Sequence, residues 1–223
     1  MIVVVGAGSS LLGKDRNLEK ILGDTVLYVS RRLPTGIKSE NWVETRYDPM
    51  DQSIEKVANL QGVSSVIWLA SPWHKSLFGM QAPSEVEASL TQGVLFQSLF
   101  VREILTQMIA SRHGRFIFTG SSIAKAGYPG SLVYTQIKSA QAALSRGLAI
   151  EYGRLGITSN VINLGLLESG MADDLPPGAT DQMLKRTGTG MRVEVLDFWN
   201  LVSFVLGNSS MNGAEIPLDG GFH

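Results

Sequence analysis

The chain has 223 residues, of which 44% are hydrophobic and 17% are charged, as in an ordinary globular protein. Its 19 Lys and Arg residues nearly balance its 20 Asp and Glu residues, so charge gives no reason to expect a nucleic-acid or membrane partner. The chain contains no cysteine, which excludes disulfides, a cysteine nucleophile and thiolate metal sites. With only three histidines, we expect no catalytic metal.

The first residues have the pattern of a buried strand rather than of a secretion signal. The sequence Met-Ile-Val-Val-Val runs directly into Gly6, without a basic segment or a longer apolar stretch. No apolar run in the chain reaches the ~18–20 residues that a membrane-spanning helix needs. We therefore predict a cytoplasmic protein that folds as a single domain over residues 1–223.

Short apolar runs alternate with longer amphipathic segments along the whole chain. The predicted strands are Ile2–Val5, Thr25–Val29, Val43–Tyr47, Ser65–Leu69, Phe116–Thr119, Thr158–Leu164 and Glu215–Leu218. The predicted helices are Leu12–Leu22, Ser53–Asn59, Ser84–Ser111, Ser131–Tyr152 and Val193–Leu206, with Ser84 and Glu87 spaced as a capping box. Unbroken apolar strands that alternate with helices predict an α/β fold with a doubly wound, mostly parallel, seven-stranded sheet and helices on both faces.

Three glycines follow the first predicted strand. Gly6, Gly8 and Gly13 surround Ser10 and Leu12, and a predicted helix comes next. Glycines let a pyrophosphate approach the backbone closely, and the start of a helix offers free N–H groups to an anion. The pattern favours a dinucleotide site, while a structural turn without a ligand stays the alternative.

The end of the second predicted strand indicates which dinucleotide is bound. An acidic residue there would accept a hydrogen bond from the ribose of NAD, but this chain has Ser30, Arg31 and Arg32. Because arginine pairs well with a phosphate, we predict NADP(H) rather than NAD(H), unless the two arginines are only solvated loop charges. Asp48, after the third predicted strand, is a candidate acceptor for the adenine amino group.

Tyr134 and Lys138 stand four residues apart at the start of a predicted helix and therefore share one face. A phenol titrates near pH ~10, and a nearby ammonium lowers that pKa, so Tyr134 is a candidate general acid or base. Ser121 and Ser122 come just after the fifth predicted strand and are placed to hold a carbonyl oxygen. The pair is common by chance, but the glycine loop, these serines and a predicted turn over 160–165 favour catalysis.

These motifs resemble the short-chain dehydrogenase/reductase family over essentially the whole chain. The resemblance rests on Tyr-Thr-Gln-Ile-Lys-Ser-Ala at 134–140, on Ile-Thr-Ser-Asn-Val-Ile-Asn-Leu-Gly at 157–165 and on Leu-Asp-Gly-Gly at 218–221. It implies a single Rossmann-like, dinucleotide-binding catalytic domain, with a substrate lid at about residues 166–192. In that lid, Met171, Met183, Leu184 and Met191 are the candidate apolar contacts to a substrate.

The resemblance also implies a role for each catalytic residue. Ser121 would polarise the substrate oxygen, Tyr134 would transfer the proton, and Lys138 would lower the tyrosine pKa and bind the nicotinamide ribose. Ser121 stands 13 residues before Tyr134, which is the family's register and favours it over Ser122. The predicted cofactor-binding residues are Gly6, Gly8, Ser10, Leu12, Gly13, Ser30, Arg31, Arg32, Asp48, Ala70, Tyr134, Lys138, Gly165, Leu167 and Ser169.

Three departures from the family pattern affect the cofactor cradle and the proton relay. Ala7 and Leu11 stand where the family loop usually has glycine. Trp-Leu-Ala-Ser at 68–71 replaces the usual Asn-Asn-Ala-Gly, and Leu90 stands where the family often has an asparagine that holds a relay water.

The predicted function is that of an NADP(H)-dependent oxidoreductase that transfers a hydride between nicotinamide and a small carbonyl or alcohol substrate. Two alternatives stay open: a cofactor-binding sensor or partner subunit with little turnover, and an isomerase or dehydratase on the same fold. The predicted helices over 84–111 and 131–152 carry few charges for their length. They therefore predict a homodimer or homotetramer, and no nucleic-acid or membrane partner is expected.

Overall fold

The computed structural model describes residues 1–6, 10–12, 18–49, 52–168 and 178–222. Seven strands form one sheet in the order β3-β2-β1-β4-β5-β6-β7, and every neighbouring pair is parallel. The strands are β1 (Ile2–Val5), β2 (Val26–Ser30), β3 (Trp42–Glu44), β4 (Ser65–Trp68), β5 (Gly114–Ser121), β6 (Ile157–Leu164) and β7 (Glu215–Leu218). The predicted doubly wound sheet is confirmed, and it is wholly parallel.

Eight α-helices occur in the described part of the chain. They are α1 (Leu18–Leu22), α2 (Ser53–Ala58), α3 (Pro83–Leu90), α4 (Gln97–Ser111), α5 (Ser122–Ala126), α6 (Leu132–Tyr152), α7 (Ala179–Leu184) and α8 (Val195–Leu206). A π-helical turn over Thr91–Phe96 joins α3 to α4, and short 3-10 turns cover Ser10–Leu12, Ser39–Asn41, Phe78–Met80 and Gly153–Leu155. None of the helices in these ranges is long and apolar enough to cross a membrane.

Helices cover both faces of the sheet. On one face, α2, α4 and α6 bury a core that includes Phe96, Phe100 and Met108 against the aromatic side chains of β5. On the other face, α1 and α8 bury a second core around Leu18 and Trp199. Because water reaches neither face of β1, all four of its residues are apolar and buried, as expected for a central parallel strand.

The helix predicted over 84–111 is interrupted in the structure. The π-helical turn holds Gly93 against α6, where an added Cβ would lie 2.7 Å from side-chain carbons of Ile137. The predicted capping box of Ser84 and Glu87 is wrong, because the helix already begins at Pro83. Glu85 Oε2 accepts the hydrogen bond of the Ala82 N–H at 2.9 Å instead.

Two strand boundaries also differ from the prediction. β5 extends to Ser121, which is therefore the last residue of the strand rather than a loop residue. β3 ends at Glu44, and Tyr47 has a φ of 58°, a left-handed conformation that a strand cannot contain. Residues 160–164 of the segment predicted as a turn belong to β6, which ends at Leu164, so only Gly165 lies outside the strand.

Two further predicted helices differ from the structure at their starts. Leu12 belongs to a 3-10 turn and α1 covers Leu18–Leu22, with residues 13–17 outside the described ranges. The helix predicted from Val193 begins at Val195. Neither shift moves the strand ends, and a parallel sheet collects all its carboxyl ends along one edge, where α/β proteins bind their ligands.

Candidate active site

The end of β5 and the start of α6 bring Ser121, Tyr134 and Lys138 together. Ser121 closes the strand, and the other two lie on the first two turns of the helix, on the face that packs on β5 and β6. Their fractional exposures are 6%, 6% and 4%, so the protein itself fixes their positions. This arrangement is consistent with the spacing of the family, which predicted that Ser121 lies beside Tyr134.

The phenol of Tyr134 is buried and hydrogen-bonded. The Ser121 hydroxyl bonds to the phenol oxygen, which favours the phenolate, but removal from water outweighs this bond. Burial therefore raises the pKa of Tyr134 to about 12. The side chain is thus a neutral O–H donor at physiological pH.

Lys138 lies beside the tyrosine ring, with its Nζ 5.5 Å from the ring centroid. The Nζ donates to the Thr119 carbonyl oxygen at 2.6 Å and lies 3.4 Å from Thr119 Oγ1. Burial lowers the pKa of Lys138 to about 7. The expected lowering of the Tyr134 pKa is therefore not seen, because burial raises this pKa and only the Ser121 hydrogen bond opposes the increase.

Ser122 has a different partner from Ser121. Its hydroxyl donates to Asp219 Oδ2, while Asp219 Oδ1 accepts the backbone N–H groups of Gly221 at 3.0 Å and Phe222 at 3.3 Å. Gly165 packs so tightly on this aspartate that an added Cβ would lie 2.7 Å from its Cα. Ser122 therefore ties the end of β5 to the turn after β7.

Trp73 is a neighbour of the site that sequence reasoning did not assign. Its ring meets the Tyr134 ring edge-on, with centroids 4.9 Å apart and planes at 89°. The residue belongs to the loop between β4 and α3, which the sequence marked only as a departure from the family pattern. An aromatic side chain just after a strand end was the available signal.

Gly6 and Ala70 form a close backbone approach between β1 and β4. Gly6 has a φ of 95°, and its N–H donates to the Val29 carbonyl at 2.8 Å. A Cβ at Gly6 would lie only 2.4 Å from the Ala70 nitrogen, so no other residue fits there. The backbone at Gly6 therefore passes Ala70 with no space for a side chain between them.

The end of β2 presents Arg31 and Arg32, which are both exposed. The Ser30 hydroxyl is buried, donates to the Arg32 carbonyl at 2.6 Å and accepts the Trp42 Nε1–H at 3.0 Å. Ser30 therefore shapes the turn that carries the two arginines. This arrangement leaves their guanidinium groups at the surface beside the strand ends.

Asp48 lies exposed beyond β3, beside a pocket of about 250 Å³. Tyr47 also lines this pocket, and it was not predicted. Its hydroxyl lies within hydrogen-bonding reach of the Gly6 backbone, and its ring meets Phe96 edge-on at 5.5 Å. Burial raises its pKa to about 12, against the opposing charge of Arg31. Tyr47 therefore joins the ends of β1, β2 and β3.

The two leucines of the 3-10 turn face the core. Leu11 and Leu12 are 4% and 1% exposed, and the Leu11 carbonyl accepts the Trp199 Nε1–H at 2.5 Å. A cofactor contact from Leu12 would therefore come from its backbone. Leu167 makes a parallel bridge to Val193. Gly8, Gly13 and Ser169 lie outside the described residues, and Ser10 is the first residue of the turn.

The second half of the predicted lid is tied to the end of the described chain. Thr189 and Gly188 donate backbone hydrogen bonds to Gly220 and Gly221, at 3.0 and 3.2 Å. Met183 is 3% exposed, so the prediction that it is available to a substrate is wrong, since it packs into the protein itself. Met171 lies outside the described residues, while Met191 is 65% exposed.

The residues at this edge suit a nicotinamide dinucleotide. Gly6 presents no side chain at the end of β1, and the exposed guanidinium groups of Arg31 and Arg32 at the end of β2 can offer cations to an adenosine phosphate. A family model described as Enoyl-(Acyl carrier protein) reductase matches residues 51–223. The chain belongs to the short-chain dehydrogenase/reductase family, a family of oxidoreductases.

Other members of this family align over different lengths. Nodulation protein G of Rhizobium sp. (strain N33) is 25% identical over 98% of this chain and 86% of its own length. Subunit BbsD of a hydroxy(phenyl)methylsuccinyl-CoA dehydrogenase from Thauera aromatica is 32% identical over 57% of this chain. The 3-oxoacyl-(acyl-carrier-protein) reductase FabG of Pseudomonas aeruginosa is 27% identical over 55% of it. These last two alignments span about half of each relative, 52% and 50%.

Solved structures in the family share the fold. ElxO with NADP bound has a TM-score of 0.83 with this chain at 18% sequence identity, covering 98% of this chain and 96% of ElxO. A Tyr-to-Phe point variant of ElxO with NADPH bound gives the same values. At this identity the likeness establishes the Rossmann-like fold of the short-chain dehydrogenase/reductases.

Proposed function

We propose that this chain is an NADP(H)-dependent oxidoreductase that interconverts a carbonyl group and an alcohol, with Tyr134 as the general acid or base. The observation that carries the proposal is the buried cluster at the end of β5. There the Ser121 hydroxyl bonds to the Tyr134 oxygen, and Lys138 lies one helical turn further on.

The cofactor assignment rests on the strand ends. The bound nicotinamide would supply or accept the hydride. Arg31 and Arg32 offer cations to a 2′-phosphate, Gly6 presents no side chain to an approaching pyrophosphate, and ElxO has the same fold with NADP bound. The predicted contacts of Asp48, Ala70, Gly165 and Leu167 belong to this proposal.

The proton chemistry follows from the two buried groups. A phenol with a pKa of about 12 keeps its proton at neutral pH, so Tyr134 is ready to protonate a carbonyl oxygen in the reducing direction. Ser121 would orient that oxygen. An amine with a pKa of about 7 can gain or lose a proton near neutral pH, which suits Lys138 to restore the tyrosine proton.

The substrate proposal is a small ketone, a 3-oxo acyl thioester or the matching alcohol. It is supported by the names of the aligned relatives, a 3-oxoacyl-(acyl-carrier-protein) reductase and a dehydrogenase of an acyl-CoA. The proposed assembly is a homodimer or homotetramer through the helices over 84–111 and 131–152. Exposed apolar side chains on them, Leu95 at 48% and Ile150 at 82%, support it.

The test begins with fluorescence titration of NADPH and NADH, and continues with NADPH oxidation at 340 nm over a panel of ketones and 3-oxo thioesters. Tyr134→Phe should lower kcat by about 100- to 10,000-fold and leave the NADPH Kd unchanged. Tyr152→Phe, at the far end of α6, is the matched control and should keep full activity.

Other outcomes would redirect the assignment. Turnover that survives Tyr134→Phe would show that another group is the acid. Binding of NADPH without any turnover would support the sensor or partner-subunit alternative, which the buried Leu11 in the glycine loop favours. Failure to bind either cofactor would remove the oxidoreductase proposal.

A further inference from the structure

The loop between β4 and α3 reaches across the site to the proposed acid. Trp73 lies edge-on to the Tyr134 ring at a centroid distance of 4.9 Å, and it is half-buried. By contrast, Trp68 and Trp199 are only 1% and 2% exposed and belong to the two cores. Trp73 is therefore a large flat side chain that borders the reacting group while keeping part of its surface open.

The loop is held in place by its own contacts. Gln81 Nε2 donates to the Ser76 carbonyl at 2.9 Å, which closes the loop on itself. The Lys75 Nζ lies 5.7 Å from the Tyr128 ring centroid, just before α6. The loop is thus anchored to the segment that leads into the catalytic helix, and this fixes Trp73 relative to Tyr134.

A substrate that places its oxygen at Ser121 and Tyr134 must bring its reacting carbon next to the tyrosine hydroxyl. Because Trp73 contacts the ring that carries this hydroxyl, a substituent directed toward the Trp73 side of the tyrosine would lie beside the Trp73 ring. Aromatic pairs in edge-to-face or offset contact gain about 0.5–1.5 kcal/mol beyond simple burial. That gain corresponds to about 2- to 12-fold in affinity.

We propose that Trp73 is the specificity-determining wall of the substrate site, and that it selects carbonyl and alcohol substrates whose reacting carbon carries an aromatic or other flat unsaturated group. The inference rests on the proposed function, since Tyr134 and Ser121 must hold the substrate oxygen. It concerns binding selectivity, so it can be tested apart from turnover.

The test uses two methyl ketones of similar size, acetophenone and cyclohexyl methyl ketone. Their Kd values for the protein saturated with NADP⁺ are measured by calorimetry, and the ratio of the two is the readout. The wild-type protein should prefer acetophenone by about 2- to 12-fold. Trp73→Leu should abolish the preference and Trp73→Phe should retain part of it. Phe78→Leu changes an exposed aromatic residue of the same loop and should leave the ratio unchanged.

An equal ratio in the wild type and Trp73→Leu would overturn the inference, as would no measurable binding of acetophenone. Thermal melts identify any variant that fails to fold, and Trp73→Phe keeps a ring in place in that case. Failure of the proposed function looks different. It appears as absent turnover, or as turnover that Tyr134→Phe leaves intact, whatever the ratio of the two ketones.

Discussion

The two ends of the ligand-binding edge are built in different ways. At β5 and α6, Ser121, Tyr134 and Lys138 are at most 6% exposed and bonded to neighbours. At β1 and β2, the backbone of Gly6 packs closely on Ala70, but Arg31 and its neighbouring arginine are exposed. The reacting groups therefore depend on the core for their position and acidity, whereas cofactor selectivity depends on surface charge. Substitutions at the first end should alter stability as well as rate, and charge substitutions at the second should alter affinity alone.

We expect the largest effect from Lys138→Met, which tests whether the buried end of the edge depends on the core. Burial lowers the pKa of Lys138 from 10.5 to about 7, so between pH 7 and 10 the unfolded chain holds a proton that the folded chain has lost. The stability contribution of this group rises with pH through that window, by an amount on the order of 3 kcal/mol. Lys138→Met should lose this rise, be more stable than the wild type at pH 7, and lose turnover.

Urea unfolding at intervals from pH 7 to pH 10 measures the effect. Lys56→Met removes an exposed amine on α2 and serves as the control, with the same pH slope as the wild type expected. Parallel slopes for the wild type and Lys138→Met would mean that Lys138 is protonated in the folded protein throughout this range.

Gly6→Ala tests the close backbone approach at the cofactor end. The added Cβ would lie 2.4 Å from the Ala70 nitrogen at a φ of 95°, so two strand ends must move apart. We expect a loss of about 3 kcal/mol and a Tm lower by about 6–12 °C. Gly62→Ala shares a positive φ, 76°, but has open space around it, so it should cost only about 1 kcal/mol. Equal costs for the two variants would remove the close approach as the cause.

Arg31→Ala tests the exposed part of the same end. Losing one charged partner should raise the NADPH Kd by about tenfold and leave the NADH Kd and the Tm unchanged. Fluorescence titration with both cofactors at two salt concentrations measures this, and Arg31→Lys should restore part of the affinity. An equal effect on both cofactors would refute a contact with the 2′-phosphate.

Gln141→Met should give the smallest change in stability, and it tests how the buried polar groups of α6 contribute at the catalytic end. Gln141 is fully buried on the same face of α6 as Lys138, and neither amide atom has a hydrogen-bond partner among the described residues. Removing an unpaired buried amide should raise stability by about 1 kcal/mol, or about 2–4 °C in Tm. Gln107→Met should instead destabilise, because Gln107 Oε1 accepts the Val63 N–H at 3.3 Å, even though Gln107 Nε2 has no partner among the described residues. A lower Tm for Gln141→Met would indicate that an ordered water pairs with the amide.

Much of the fold followed from the alternation of apolar runs and amphipathic segments, because strands covered on both faces must be apolar throughout. The spacing of Tyr134 and Lys138 was informative because a helix converts four residues into one face. The spacing of Tyr134 and Lys138 could not predict their pKa values. Those depend on how completely α6 and β5 exclude water, and the burial of Tyr134 reversed the expected direction of its pKa shift.

The residues that sequence reasoning missed lie in loops. Trp73 and Tyr47 have no periodic pattern around them, and their positions depend on local contacts and on the left-handed backbone at Tyr47. The predicted helix boundaries were wrong where a local feature outweighed the hydrophobic pattern. Pro83 started α3 early, and the π-helical turn interrupted a segment that reads as one continuous helix.

Because of that π-helical turn, the number of residues in this segment matters as much as their identity. A π turn holds one more residue than the α turn it replaces, and one residue corresponds to about 100° of helix rotation. Deleting one residue from Thr91–Phe96 would straighten the helix and rotate α4 relative to α3, carrying Phe100 and Met108 away from the sheet. Leu90 precedes the turn and Gly93 lies inside it, so the three-residue spacing between them spans a change of helical phase. Sequence comparisons with relatives should therefore establish whether they share this turn before assigning counterparts on either side.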